Sequence, residues 1–367
     1  MTSSCGSMRV VFRADASLDI GTGHIMRCLT LADALSMKGV ECSFISRDLR
    51  GNLIEQTRQR GYAVHVLPMP KETPPLAREP FHAPWLGVSW EEDAAESLSF
   101  LRELNPDWLI VDHYALDSRW ETATGQHWQR RLFVIDDLAD RAHVADLLLD
   151  QNLGRRASDY ESLLPIHAQC LVGPRYALLR PEFAEFRPYS LARRKSGELR
   201  HILISLGGVD KDNATGAVLR ALRECSLPAD CTMTAIMGGH APHLQDVSTL
   251  AAKMPWPTEV AINVSDMAKR MSEADLAIGG AGSTSWERCC LGLPTLLLIL
   301  ADNQEDIATA LHHEGAAWRL GRPATLGVLK DEWNNLTHPQ RLGCQSAKAA
   351  ALIDGQGMSR LVQILTH

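Results

Sequence analysis

The chain has 367 residues, of which 45% are hydrophobic and 22% are charged, and its formal net charge is −7. These proportions are typical of a globular protein, and the length favours two domains. The acidic balance disfavours sequence-blind nucleic-acid binding, because no net positive field attracts a phosphate backbone.

Strand-like and helix-like segments alternate along the N-terminal half. We predict strands at 9–14, 41–46, 62–68, 107–112, 132–135 and 146–149, and helices at 24–38, 53–60 and 90–104. Short apolar strands joined by helices are typical of a parallel sheet with helices on both faces.

The alternation stops at Arg187-Pro188, and a basic polar stretch follows, so we predict a linker at 188–199 between domains 1–187 and 200–367. Beyond it we predict strands at 201–206, 232–237, 259–262, 276–278 and 295–300, helices between them and at 305–314, and a helical tail at 326–365. The fold class is therefore α/β, with two Rossmann-like, doubly wound domains facing across a cleft. Ligands of such sheets bind beyond the carboxyl ends of the strands.

No membrane segment or targeting signal is predicted. The longest apolar run, 294–301, is too short to span a bilayer, so we expect no membrane partner. The nine cysteines are scattered and odd in number, which favours free thiols in a reducing cytoplasm.

The segment Gly21-Thr22-Gly23-His24 follows the first strand and begins a helix. Backbone N–H groups at such a turn favour an anion, so Gly21 and Gly23 are candidate nucleotide contacts. His24 is a candidate base, because imidazole titrates near neutral pH. The alternatives are that the glycines only make a tight turn, and that His24 only hydrogen-bonds a phosphate.

Two further glycine loops follow predicted strands in the second half. Gly207-Gly208 lets a ligand approach the backbone, and Gly282-Ser283 offers N–H groups and a hydroxyl to a diphosphate. Glu287, about one turn into the next helix, could accept both hydroxyls of a ribose. The alternatives are tight turns for the glycines and complementing of the helix dipole for Glu287.

Asn303 and Gln304 follow the last predicted strand and could bind sugar hydroxyls or an acetamido group, although capping of the next helix explains them equally well. Asp136-Asp137 and Asp112-His113 would suit Mg²⁺. We nevertheless expect no metal, because such pairs also cap helices and no zinc-binding spacing is present.

Several motifs occur in the same order in a known family. They are Arg13-Ala14-Asp15-Ala16-Ser17, Ile20–His24, Met26-Arg27-Cys28-Leu29, Val111-Asp112-His113-Tyr114, Asp136-Asp137-Leu138-Ala139, Leu149–Asn152 and Gly173–Arg180. The chain resembles, over residues 9–315, the UDP-sugar hydrolases of pseudaminic acid biosynthesis, which have the GT-B fold. Gly280–Glu287 and Asp302–Gln304 also resemble the nucleotide signature of the peptidoglycan N-acetylglucosaminyltransferases.

The resemblance implies hydrolysis of UDP-2,4-diacetamido-2,4,6-trideoxy-β-L-altropyranose to UDP and the free sugar. Water would attack the anomeric carbon with inversion, with His24 as the base and with no metal or other cofactor. Gly207, Gly208, Gly282 and Ser283 would bind the diphosphate and Glu287 the ribose. Asp15, Tyr114, Asn303 and Gln304 are the expected sugar contacts.

Two other functions remain open. A GT-B glycosyltransferase would use the same nucleotide site and the same histidine to deprotonate an acceptor hydroxyl, and Trp85–Val88 is the modest apolar candidate for an acceptor surface. A sugar-nucleotide binding or sensing protein is less favoured, because binding alone does not explain a titratable group beside the phosphate site. A nicotinamide oxidoreductase is weaker still, since Gly21-Thr22-Gly23 lacks a third glycine.

Overall fold

The computed structural model describes residues 7–70, 79–125 and 131–367, apart from the side chain of Asn303. The chain forms two compact units. Unit 1 is Met1–Leu178 together with Met358–His367, and unit 2 is Leu179–Gly357. Each unit contains one parallel sheet with helices, so the predicted two-domain α/β fold is confirmed.

Unit 1 is built on a seven-stranded sheet. Its strands are β1 (Arg9–Ala14), β2 (Glu41–Arg47), β3 (Ala63–Leu67), β4 (Trp108–Asp112), β5 (Arg131–Ile135), β6 (Leu147–Asp150) and β7 (Gln169–Val172). Its helices are α1 (Gly23–Ser36), α2 (Ile54–Gln59), α3 (Trp90–Leu104), α4 (Ser118–Gly125) and, from the C-terminus, α13 (Gly357–Thr366). The strand order is β3-β2-β1-β4-β5-β6-β7, so the order reverses between β1 and β4.

Unit 2 is built on a six-stranded sheet. Its strands are β8 (His201–Ser205), β9 (Thr232–Met237), β10 (Thr258–Ile262), β11 (Leu276–Gly280), β12 (Thr295–Leu298) and β13 (Trp318–Gly321). Its helices are α5 (Pro181–Arg193), α6 (Ala214–Arg223), α7 (Leu244–Ala251), α8 (Met267–Glu273), α9 (Thr284–Cys290), α10 (Glu305–His313), α11 (Leu329–Leu336) and α12 (Pro339–Leu352). The order β10-β9-β8-β11-β12-β13 reverses between β8 and β11.

The first strand, β1, shows why the central strands are continuous apolar runs in the sequence. Val10 and Phe12 pack with Leu29 of α1 in one hydrophobic cluster, whereas Val11 packs with Leu109 in the cluster on the other face. Side chains of a strand alternate between faces, so a strand covered on both faces is apolar at successive positions. The central strands therefore lie in the interior, and their carboxyl ends fix the loops that follow them.

The predicted linker at 188–199 differs from the structure. Its first part belongs to α5, which contains Pro188, and a 3-10 turn at Arg194–Ser196 follows. The basic run is not a solvated tether, because the buried guanidinium of Arg194 donates to the carbonyls of Met271 and Ala274. These bonds tie the segment to unit 2, so the boundary between the compact units falls after Leu178 instead.

The C-terminal tail, which was predicted to be helical over 326–365, is largely helical. It is divided into α11, α12 and α13, and α13 belongs to unit 1. The indole Nε1 of Trp108 donates to the carbonyl of Leu365 at 3.1 Å. Among residues 7–70, 79–125 and 131–367, no helix is both long and apolar enough to cross a membrane.

A fully buried ionic network joins β1, β2 and α3 in unit 1. The carboxylate of Asp93 accepts from Arg13 and Arg47 at 2.7 Å each and from the indole of Trp120 at 2.9 Å. Both guanidinium groups are fully buried. Removing one member of a buried network is costly, because it leaves its partner as an uncompensated charge.

We therefore predict that Asp93→Asn lowers the free energy of unfolding by about 3–5 kcal/mol, as is typical when a buried ion pair is broken from one side. Urea unfolding of the whole chain measures the loss. The matched control is Glu55→Gln, whose carboxylate is 72% exposed and 3.8 Å from Arg58. A loss for Asp93→Asn as small as that of the control would contradict this account.

Candidate active site

The point where the strand order of unit 1 reverses carries the candidate base. His24 is the second residue of α1, the helix that follows β1 in the chain, and Asp112 is the last residue of β4. The Nδ1 atom of His24 lies 2.6 Å from Oδ1 of Asp112. A carboxylate only accepts, so Nδ1 carries a hydrogen, and in the neutral imidazole the lone pair is then on Nε2. No residue in the described ranges hydrogen-bonds Nε2.

Arg27, one turn after His24, fixes the carboxylate that orients the imidazole. Its guanidinium donates to both oxygens of Asp112 at 2.6 and 2.7 Å and to Asp137 at 2.6 Å. Burial alone would raise the pKa of Asp112, but the charge of Arg27 and the hydrogen bonds from Arg27 and His24 lower it below its ordinary value. Asp112 therefore stays ionised and keeps accepting the Nδ1 hydrogen.

Two aromatic rings lie beside the imidazole. The ring of Tyr114 stands edge-on to His24 with centroids 4.5 Å apart, and its hydroxyl donates to Asp137. Burial raises the pKa of Tyr114 well above its ordinary value, so the phenol stays protonated. Trp85 stacks on Tyr114 at 5.7 Å and lies 6.4 Å from His24. The predicted sugar contact Tyr114 and the predicted acceptor residue Trp85 thus form one aromatic wall beside the base.

Asp15 does not fit its predicted role as a sugar contact. Its side chain is fully buried, and one oxygen accepts from Arg13 at 2.6 Å and from the backbone N–H of Arg47 at 2.7 Å. The other oxygen lies 3.2 Å from Nε2 of His113, which is also buried. One carboxylate oxygen is therefore hydrogen-bonded within the protein, the other faces His113 without a hydrogen bond, and both are buried at the end of β1.

The two glycines before His24 are exposed. Gly21 has a φ of +78°, and a Cβ atom on Gly21 or Gly23 would meet nothing within 4 Å. The backbone here is uncovered, which a nucleotide contact would require, and a tight turn alone also uses a glycine with positive φ. These glycines belong to unit 1, and the other predicted nucleotide residues belong to unit 2.

In unit 2 the first glycine loop follows β8, at the reversal of strand order. Gly207 has a φ of +94°, and a Cβ atom on Gly207 or Gly208 would meet nothing within 4 Å. The loop is held from behind, since both oxygens of Asp210 accept N–H groups at the start of α6 and the carbonyl of Gly208 accepts from Gly238. The backbone of this loop is therefore uncovered, and the hydrogen bonds behind it hold the loop in place.

The second glycine loop follows β11, on the other side of the same reversal. A Cβ atom on Gly282 would lie 3.8 Å from Nε2 of Gln304, so the structure brings Gln304 to this loop. Gln304 is itself held by the N–H of Leu300, which donates to its Oε1 at 3.0 Å. Ser283 is exposed beside Gly282. The side chain of Asn303, the fourth predicted sugar contact, lies outside the described part of the chain.

Glu287 is half-buried in α9, and no described residue hydrogen-bonds its carboxyl group. Burial raises its pKa to about 7, against the opposing charges of Arg180 and Arg288. An unpaired carboxyl at this place is free to accept two ligand hydroxyls when it is ionised.

The described residues contain no group of three or more His, Cys, Asp or Glu side chains arranged to hold a metal ion. The Asp136-Asp137 pair is already engaged. Asp136 accepts from Arg141 at 2.8 Å and Asp137 from Arg27 at 2.6 Å. These carboxylates serve as acceptors for protein donors.

The sequence analysis missed Arg27, and it considered Asp112 and Asp137 only as candidate metal ligands, not as partners of His24 and Arg27. Their positions in the predicted helix and strand could have indicated that they lie close together. His24 and Arg27 are three residues apart on one helix, so they share a face, and Asp112 ends the strand next to β1. Cationic side chains on that face would meet carboxylates at the strand ends.

The raised pKa of Glu287 predicts a pH-dependent stability. The folded protein holds this proton up to about pH 7, whereas the unfolded chain releases it near its ordinary pKa of 4.5. The free energy of unfolding therefore falls as the pH rises from about 4.5 to about 7. The variant Glu287→Gln lacks this titration, so we expect its free energy of unfolding to rise by about 1–3 kcal/mol relative to that of wild type between pH 5 and pH 8. Urea unfolding at both pH values tests this, with the exposed Glu314→Gln as control. An equal difference at both pH values would contradict the burial of an unpaired carboxyl.

Two similar proteins have sequences that align with much of this chain. The UDP-2,4-diacetamido-2,4,6-trideoxy-β-L-altropyranose hydrolase of Campylobacter jejuni is 28% identical over 308 residues, which are 84% of this chain and 97% of that protein. The spore coat polysaccharide biosynthesis protein SpsG of Bacillus subtilis is 31% identical over 202 residues, 53% of this chain and 57% of that protein. No family model matches the chain.

Solved structures show the same fold at lower identity. MurG of Acinetobacter baumannii superposes with a TM-score of 0.71 at 16% identity, covering 98% of this chain and 99% of that one. The glycosyltransferase SnogD of Streptomyces nogalater has a TM-score of 0.60 at 16% identity, covering 98% of this chain and all of the other. The chain therefore has the GT-B fold, and its sequence is similar to that of the C. jejuni hydrolase along most of both chains.

Proposed function

We propose that this protein is an enzyme that hydrolyses a UDP-linked diacetamido-trideoxyhexose, UDP-2,4-diacetamido-2,4,6-trideoxy-β-L-altropyranose, to UDP and the free sugar. The observation that carries the proposal is the oriented imidazole of His24, whose Nδ1 is bound to Asp112 and whose Nε2 has no partner among the described residues. The similarity to the C. jejuni hydrolase supports the choice of substrate.

In the proposed reaction, His24 acts as a general base toward water. As the water oxygen bonds to the anomeric carbon, Nε2 takes its proton and the bond from that carbon to the diphosphate oxygen breaks. The leaving electrons pass to UDP, and the attack inverts the anomeric centre. Asp112 stabilises the imidazolium that forms, as a buried carboxylate does in other oriented histidine pairs.

The leaving group needs no proton donor. A nucleoside diphosphate departs as a stable anion, so the protein has only to stabilise the charge that develops on it. The open loops at Gly207-Gly208 and Gly282-Ser283 are the proposed diphosphate contacts, and Glu287 is the proposed ribose contact. Tyr114 and Gln304 remain the proposed sugar contacts, and Gly21 and Gly23 are proposed to assist at the phosphate. The proposed reaction uses no metal, and the protein is proposed to act in the cytoplasm.

A glycosyltransferase is the second candidate. Its specific support is the aromatic wall of Trp85 and Tyr114 beside His24, since the same base could deprotonate an acceptor hydroxyl held on that wall. The fold is shared with glycosyltransferases such as SnogD. Turnover without any acceptor separates hydrolysis from transfer.

Loss of the base or of its orienting partner should remove turnover and spare binding. We predict that His24→Ala and Asp112→Asn each lower kcat by about 10²- to 10⁴-fold, the usual contribution of a positioned general base. The assay is UDP release from the diacetamido-trideoxyhexose nucleotide with EDTA present and no acceptor. Dissociation constants for UDP should stay within about twofold of wild type, because neither side chain is proposed to hold the nucleotide.

The control is His167→Gln, which changes a histidine whose side chain is 66% exposed. It should keep wild-type turnover. Full activity of His24→Ala would refute the proposed base. Absence of wild-type turnover until an alcohol acceptor is added would favour the transferase, and loss of activity in EDTA would show that a metal is needed.

A single methyl group tests the diphosphate loop. A Cβ atom on Gly208 meets nothing within 4 Å, and its φ is not positive, so Gly208→Ala should fold with nearly unchanged stability. If the diphosphate lies against this backbone, the methyl group displaces it. We expect UDP to bind about tenfold or more weakly to the variant, an energy of about 1.4 kcal/mol. Calorimetric titration gives the affinity, and wild-type affinity would remove the diphosphate from this loop.

A further inference from the structure

Arg288 in α9 is a buried cation that forms no ion pair with any carboxylate of the described residues. Its side chain is 2% exposed. The guanidinium donates to the carbonyl of Gly280 at 2.7 Å and to the hydroxyls of Thr284 and Ser285 at 3.1 and 3.0 Å. Its Nε has no hydrogen-bond partner, and no carboxylate of the described residues forms an ion pair with it. This differs from Arg13, Arg27 and Arg47 of unit 1, which all pair with aspartates.

The guanidinium occupies a specific place under the two glycine loops. A Cβ atom on Gly279 would lie 2.5 Å from Nη1 of Arg288 and 3.3 Å from the carbonyl oxygen of Ser205. Gly279 of β11 is paired with Ser205 of β8, and these neighbouring strands lead into the loops at 279–282 and 206–208. The absence of a side chain at Gly279 thus makes the space in which the guanidinium lies, at the reversal of strand order.

An isolated buried charge is unfavourable unless something compensates it. Burial lowers the pKa of Arg288 to about 10, by more than the nearby Cys289 and Glu287 side chains raise it. Its hydrogen bonds to neutral oxygens satisfy donors but add no negative charge. A ligand with two phosphates next to these loops would provide the missing charge, and water is a poor screen at a buried position.

We propose that Arg288 is a positioning residue for the diphosphate: it holds the Gly280 carbonyl and places a buried positive charge beneath both glycine loops. This inference rests on the proposed function, because it takes a nucleoside diphosphate as the ligand. The guanidinium does not touch the ligand in this role. It acts through the loop backbone and through its charge, so its effect must grow with the number of phosphates.

Calorimetric titration with uridine, UMP and UDP tests the proposal. Arg288→Met removes the charge and the hydrogen bonds, Arg288→Gln removes the charge but keeps a donor for Gly280, and Arg288→Lys keeps the charge. We expect Arg288→Met and Arg288→Gln to bind UDP about ten- to fiftyfold more weakly and uridine within about twofold, with UMP between them. Arg288→Lys should recover much of the UDP affinity. If Arg288→Met does not fold, Arg288→Gln and Arg288→Lys still give the comparison.

The matched control is Arg194→Met. Arg194 is a second buried arginine of unit 2 that donates to carbonyls, among them those of Met271 and Ala274. The Arg194→Met substitution should lower the thermal stability and leave the ratio of UDP affinity to uridine affinity unchanged.

Equal weakening of UDP and uridine in the Arg288 variants would mean that the side chain only supports the fold, and unchanged UDP affinity would remove it from the site. Either result would overturn the inference while leaving the proposed function standing. A wild-type protein that binds UDP no better than uridine would instead refute the proposed nucleotide site itself.

Discussion

The hydrogen bond between His24 and Asp112 is the interaction on which the functional account depends. It joins the start of α1 to the end of β4 across the reversal of strand order in unit 1. Connections leave the two strands in opposite directions there, so the strand ends are uncovered and side chains can meet a ligand. Arg27 keeps Asp112 ionised and in place, and the imidazole is thereby fixed with one nitrogen toward the protein and one available for a substrate.

In unit 2 the reversal of strand order is lined by open backbone and not by a pair of side chains such as His24 and Asp112. Its strand order also reverses at the centre of the sheet, and the loops on both sides of the reversal are glycine-rich and open. Polar groups that could have crowded the loops are held behind them, as Asp210 is by the start of α6. Arg288 adds a buried positive charge that is costly in the free protein, and a bound diphosphate would offset that cost.

Much of the fold was predictable from local pattern. The run Arg9–Ala14 and the helix Trp90–Leu104 were predicted with their observed bounds, because a central strand is continuously apolar and a helix after Ser89 begins with a capping side chain. The strands Gln169–Val172 and Trp318–Gly321 were missed. Both lie at the edge of a sheet and are only partly buried, so they lack the apolar run that marks a central strand.

The site was predictable in position but less so in its partners. Strand ends located His24, the glycine loops and Tyr114, yet Asp112 is 88 residues from His24 and pairs with it only through the order of the strands. Asp15 was assigned to the sugar with the motif that carries the family resemblance, whereas here its carboxylate is fully buried and paired with Arg13. The most direct test of the account is hydrolysis in ¹⁸O-labelled water. Attack of water at the anomeric carbon predicts label in the released sugar, an initially inverted anomer and unlabelled UDP. Label in UDP would place the cleavage at phosphorus and contradict the account.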